Sequence, residues 1–159
     1  MIAIDDNLDE VVAGFAELDR ELHEGLVGVV EKAVVAGAEE AKTHHRFVSH
    51  PDDEDGIVEH TRGYLVVKGP PEVIGELDSV SNHAVFVNDG TKPHVIEPRF
   101  AKALRFEAWG EEVFAANVHH PGTSPDPFFE HGIAKTDEVL MAEAKALLER
   151  IKAGSGGGG

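Results

Sequence analysis

Asn82-His83-Ala84-Val85-Phe86-Val87-Asn88-Asp89-Gly90-Thr91-Lys92-Pro93-His94-Val95-Ile96-Glu97-Pro98 is a short apolar run stopped by a glycine turn and resumed as an extended segment between prolines. Gly90 reaches positive φ at little cost, and Pro93 and Pro98 push the residues before them out of helical conformation. A second bend of the same style follows at His119-His120-Pro121-Gly122-Thr123. These are constrained turns between extended segments, and their pattern is that of a scaffold and not of a catalytic loop.

Outward from these turns the chain is helical at both ends. From Asp5 or Asp6 to about Thr43, Leu8, Val11, Phe15, Leu18, Leu22, Leu26, Val29 and Ala33 recur at helical spacing between charged residues. A continuous helix there would be roughly 55 Å long at 1.5 Å per residue, more than a small domain covers by itself. Either it bends, with Gly25 and Gly28 as the favoured place, or a partner covers it. His44-His45-Arg46 closes it with cationic groups at the negative end of the helix dipole. Asp126 as N-cap and Pro127 at the first helical position open a second helix carrying Ile133, Leu140, Ala144, Leu147, Leu148 and Ile151, expected to end before Gly154.

Between the helices, Ile57–His60 and Gly63–Lys68 read as strands stopped at Gly69-Pro70-Pro71. Glu72–Asp78 fits a further strand or a short turn, and 79–88 fits either a strand or a brief helix capped by Ser79 or Ser81. Residues 102–108 and 113–118 alternate as a hairpin about Gly110. The expected fold is α+β: a long N-terminal helix, an antiparallel sheet with a hairpin, and a C-terminal helix packed on one face. Residues 1–153 form one domain in this reading, and 154–159 are a flexible Gly-rich tail outside the fold.

Composition removes several classes of function. The 159-residue chain contains no cysteine, which excludes disulfides, thiol nucleophiles and Cys-ligated zinc. Its net charge of -16 opposes nucleic-acid binding, because affinity for phosphates rests on Lys and Arg displacing counterions. No apolar run spans a bilayer and the N-terminus lacks a basic region and an apolar core, so neither membrane nor export is expected. The acid excess fits a halophilic host, where salt screens self-repulsion, or an ordinary acidic protein.

The 10 histidines invite a metal site. Adjacent His44-His45 and His119-His120 point apart whether helical or extended, so neither pair grips one ion. The set that would have to converge is His83, His94, His119 and His131 with Asp89 or Glu97. The acidic run His50–Gly56 lacks the alternating ligands and final Glu of a calcium loop. There is no phosphate loop and no Gly-x-Ser-x-Gly elbow.

The ordered series Gly90-Thr91, Pro93-His94, Ile96, Pro98, Ala103-Leu104-Arg105-Phe106, Val113-Phe114-Ala115, Val118-His119-His120-Pro121-Gly122-Thr123 and Pro127-Phe128-Phe129 resembles the tail-completion, or head-to-tail joining, proteins of long-tailed phages. The resemblance covers roughly residues 80–133. One departure is Asn88-Asp89, where that family usually carries a Glu and then an aromatic. The resemblance implies a non-enzymatic virion protein of the neck or tail, without a cofactor and assembled in the host cytoplasm. It implies a closed ring, six-fold, between the head connector or head-completion protein and the tail terminator or tail tube, with DNA passing and not specifically bound.

On that reading Gly90, Thr91, Lys92, His94, Arg99, Arg105, His119, His120, Pro121 and Gly122 are the candidate subunit-contact turn. Two other readings stand beside it: a small metal-dependent hydrolase using clustered His, Asp and Glu, and a general interaction module. The charge excess can be tested directly. If self-repulsion limits stability, the thermal unfolding midpoint rises from low to molar NaCl, and a flat midpoint removes the halophilic option.

Overall fold

The computed structural model of the chain describes residues 8–46, 56–70, 72–108 and 110–155. Helix α1 runs over Leu8–Thr43 and helix α4 over Phe128–Ser155; both are amphipathic, as their spacing predicts. The two lie antiparallel, with Gly25 against Leu147 and Gly37 against Gly132 and Thr136. Glycine sets how closely they approach. A Cβ on Gly37 would stand 2.7 Å from the Gly132 carbonyl oxygen and nearer still to the Thr136 hydroxyl. Gly25 gives the buried Leu147 side chain its slot, and α1 continues through Gly25 and Gly28 without a break. The close packing at these glycines lies within the chain, along α4.

Strands β1 (Thr61–Val67) and β2 (Ile74–Ser79) pair antiparallel from Thr61↔Ser79 to Val67↔Ile74, with an irregularity between Leu65 and Val67. Gly63 and Gly75 press this ribbon onto α1, since a Cβ on either would enter Val34. Val34 is buried with its neighbours Val29, Ala33, Ala38 and Ala41. The His23 ring nitrogen Nε2 lies 2.8 Å from the Lys68 carbonyl oxygen and ties the end of β1 to the helix.

The segment Ile57-Val58-Glu59-His60, expected as a strand, is instead one helical turn, α2 (Ile57–His60). Local hydrogen bonds explain the change. The Gly56 carbonyl accepts both the His60 backbone N–H at 3.2 Å and a contact from His60 Nδ1 at 2.8 Å, while Thr61 Oγ1 donates to the Ile57 carbonyl at 2.6 Å. Ile57 is buried, and an apolar side chain suits a buried position in a strand or a helix alike, so its type could not decide between them.

The ambiguous 79–88 segment is helical over Ala84–Asn88, α3. His83 holds its N-cap position without a side-chain cap bond, so neither Ser79 nor Ser81 caps it; in the turn before it the Ser81 hydroxyl accepts the His83 N–H at 3.3 Å and the Ser81 carbonyl the Ala84 N–H at 3.2 Å. Fully buried Phe128 then packs against Ala41, Ile57 and Ala84, joining the end of α1 to α2, α3 and the start of α4.

The remaining strands are β3 (His94–Ile96), β4 (Leu104–Ala108), β5 (Glu111–Ala115) and β6 (Val118–His120). They complete an α+β fold, but in place of one antiparallel sheet the strands form three separate ribbons, β1–β2, β3–β6 and β4–β5. Pro93, Pro98 and Pro121 flank β3 and β6 and carry no N–H, so the continuous β3–β6 ladder is short. The β4–β5 hairpin turns at Gly110, at φ 80°, as expected, but its second strand is Glu111–Ala115 and not 113–118, and Val118 belongs to β6 in another ribbon.

Both ends of α4 also differ from expectation. The first bond of α4 runs from the His131 N–H to the Pro127 carbonyl at 3.4 Å, one residue later than an Asp126 cap would set it. At its other end α4 includes Gly154 and Ser155, which the sequence assigns to the tail. The expected helix start at Asp5 or Asp6, the acidic run 50–55 and glycines 156–159 lie outside the described residues.

The glycines of α1 make opposite predictions. Gly37→Ala overpacks the seam and should cost about 1–3 kcal/mol. Gly28, with nothing within 4 Å of an added Cβ, should give up to about 1 kcal/mol of extra stability as Ala through helix propensity. Urea unfolding of the two variants reads the difference; equal effects would show that the seam is looser than described.

Candidate functional site

The two glycine turns singled out in the sequence are in contact. Strand β3 pairs with β6 through His94↔His120, Val95↔His119 and Ile96↔Val118, and an isolated bridge joins Thr91 to Thr123 in the same register. That register sets Pro93 opposite Pro121, and since neither has an N–H the ladder must break between them. It restarts at the threonines, whose backbone N–H and C=O groups exchange two bonds of 3.1 Å while their hydroxyls lie 3.1 Å apart.

Gly90 and Gly122 make the crossing possible. Both hold positive φ, 71° and 87°. A Cβ on Gly90 would meet the Thr123 carbonyl at 2.6 Å, and one on Gly122 would run into the Thr91 carbonyl. Each turn therefore occupies the space that a side chain on the other would need.

On one face of the ribbon the His94 and His120 rings stack at 5.0 Å. Both are engaged locally: His94 Nδ1 lies 2.8 Å from the Lys92 carbonyl, and His120 Nδ1 accepts the Gly122 N–H at 3.1 Å. His119, opposite Val95, projects from the other face. His131 is elsewhere, 5.8 Å from His44 at the junction of α1 and α4. The four histidines considered as a metal set thus divide between separate places. Among the described residues no group of three or more His, Cys, Asp or Glu is arranged to hold a metal ion.

The other candidate residues lie outside the turn contact. Arg105 belongs to the β4–β5 hairpin and donates from Nε to Glu112 Oε1 at 2.8 Å. Lys92 and Arg99 are exposed and enter no ion pair among the described residues. Val95 and Ile96 are exposed beside them, and Phe100 is 100% exposed.

Sequence reasoning missed two supports beneath this ribbon. The Asn88 side chain, which stands where the resembled family usually has another residue type, accepts the Phe129 N–H at 3.2 Å and so satisfies one of α4's unpaired donors. Asp126 accepts the Arg46 backbone N–H at 2.6 Å and its Nε at 3.3 Å, which clasps the exit of α1 to the entry of α4. That clasp borders an open cleft of about 420 Å³, with His44, His45 and His131 around it. The Asp126 carboxylate already satisfies the cation there, so the cleft reads as a structural junction.

Comparison with family models, with curated proteins and with solved structures finds no match for this chain. No described helix is long and apolar enough to cross a membrane.

The interlocked turns are sensitive to a single methyl group. Gly122→Ala combines left-handed backbone strain with a clash against Thr91 and should cost about 2 kcal/mol or more in thermal unfolding. A variant as stable as the parent would mean that the two turns do not depend on each other.

Proposed function

We propose that the chain is a structural virion protein of the neck or tail of a tailed virus, closing into a ring that joins the head connector to the tail and lets DNA pass. The observation that carries this reading is the first third of α1. Val11, Val12, Phe15 and Leu18 are all exposed, Phe15 at 68%, although their spacing is that of a buried stripe. Large apolar side chains at such spacing are favourable only when something covers them. A second copy of the chain covers them at no cost in extra gene products, and repeated head-to-tail contacts close into a ring.

Two further features support the same reading. The β1–β2 ribbon packs on α1, but among the described residues the β3–β6 and β4–β5 ribbons leave their outer edges unpaired, and two-stranded ribbons are marginal in water until packed on something else. The acid excess suits a passage for DNA, because a lining short of Lys and Arg gains no counterion-release affinity and does not hold the polymer. The ordered turn motifs of residues 80–133 supply the class of assembly. On this reading the protein performs no turnover, sits in the virion between connector or head-completion proteins and tail terminator or tube proteins, and assembles in the host cytoplasm with six-fold symmetry.

The test is the mass of the purified protein by light scattering across a concentration series, with electron microscopy of the largest species. A closed ring of uniform size is the expected result. A chain that stays monomeric at every concentration removes the proposal.

A further inference from the structure

The cations of this chain are unevenly distributed. Residues 92–105 hold Lys92, Arg99, Lys102 and Arg105 against the single acid Glu97, inside a protein of net charge -16. Of these, Lys92, Arg99 and Lys102 are exposed and enter no ion pair among the described residues. The same arm exposes Val95, Ile96 and the fully accessible Phe100. Val95 and Ile96 face opposite sides of the β3–β6 ribbon, and Phe100 is the most accessible apolar side chain of an arm that carries unused positive charge.

The overhanging part of α1 has the opposite character. Residues 10–24 carry five carboxylates and one guanidinium. Arg20 is already held by Glu17 and Glu24, and its hydrogen bond and charge keep the Glu17 carboxyl below the usual carboxylate range. Glu10, Asp19 and Glu21 enter no ion pair among the described residues. At about 100° per residue, Val11, Phe15, Leu18 and Leu22 form one stripe, with Glu10 and Glu21 on one flank and Asp19 on the other. This is an apolar strip edged with unused negative charge.

We infer that the 92–105 arm of one copy docks on the N-terminal stripe of α1 in the next, with Phe100 entering among Val11, Phe15 and Leu18 while Arg99 and Lys102 meet Asp19, Glu21 and Glu10. The contact rests on the ring reading and specifies its interface. It is heterologous, since each copy contributes its helix to one neighbour and its arm to the other. Self-pairing of the helix stripes would instead bring their acidic flanks together, a like-charge arrangement that opposes association.

Two variants test this, both at exposed positions so that folding is spared: Phe15→Asp on the helix and Phe100→Asp on the arm, each checked by circular dichroism for unchanged helix content. Each alone should be monomeric where the parent assembles. Their equimolar mixture should form a heterodimer and nothing larger, because the Phe15→Asp copy keeps its arm and the Phe100→Asp copy keeps its helix.

A charge exchange gives the second arm of the experiment. Arg99→Glu with Lys102→Glu should raise the concentration for half-assembly by about tenfold or more at low salt, and adding Asp19→Lys with Glu21→Lys should restore much of it. If Phe100→Asp assembles like the parent, or the mixture stays monomeric, the arm is not what covers the helix. That result in a parent that still forms rings sinks this contact alone, whereas a parent that never assembles sinks the ring reading with it.

Discussion

The close approach of α1 and α4 is the constraint on which the other elements depend. It is set at Gly25, Gly37 and Gly132, where backbone or a neighbouring side chain occupies the position a Cβ would take. Close packing of this kind fixes the register of the two helices, and register with unequal length fixes what is covered. Four residues past Leu147, Ile151 lies about level with Glu21. Beyond it α4 offers only Lys152, Ala153 and Gly154, none able to bury the stripe at Val11, Phe15 and Leu18. The exposed end of α1 thus follows from the way the helix pair is locked further along.

A second set of contacts holds the loop layer to that pair. Phe128 draws α2, α3 and both helix ends into one cluster. Asp126 and Asn88 then satisfy backbone donors that the helix termini and the preceding chain leave open. The interlocked glycine turns extend this anchoring to β3 and β6, so the arm after Pro93 begins from a fixed point while its own apolar residues stay outside. The arm is therefore positioned at its root, with Pro98, Ala103 and Leu104 half-buried and Val95, Ile96 and Phe100 exposed.

Much of this was legible in the amino-acid sequence, and the limits have physical causes. Both long helices follow from their 3.6-residue stripes, and the hairpin follows from alternation around Gly110, because those signals are local. The positive φ of Gly90 and Gly122 is legible for the same reason. Their mutual contact is not, since residues 32 apart in sequence meet through a pairing that no local pattern encodes. Ile57–His60 misleads because two apolar residues followed by polar ones fit either period, and hydrogen bonds from Gly56 and Thr61 decide the matter. The division into three ribbons depends on which strand edges meet, again a non-local result. Gly25 and Gly28 look alike in sequence, yet one receives Leu147 and the other faces open space. Among the candidate residues, the turn glycines and histidines come together as a unit, while Arg105 is spent on Glu112 in its own hairpin.

The distribution of charge ties the fold to the proposed assembly. In a chain so acidic, a random placement of cations would serve stability best by spreading them among the carboxylates, as Lys32 does with Glu143 and Arg62 with Asp78. The arm departs from that economy: its exposed lysines and Arg99 lie where almost no acid accompanies them. Exposed ion pairs contribute little individually, so the departure costs the monomer little. It matters far more between molecules, where opposite patches steer encounter and like patches reject wrong pairings. In the proposed assembly, a scaffold whose own core ends before its long helix does, and whose spare cations and spare acids lie beside separate exposed apolar residues, would gain further burial and local charge complementarity in the same step.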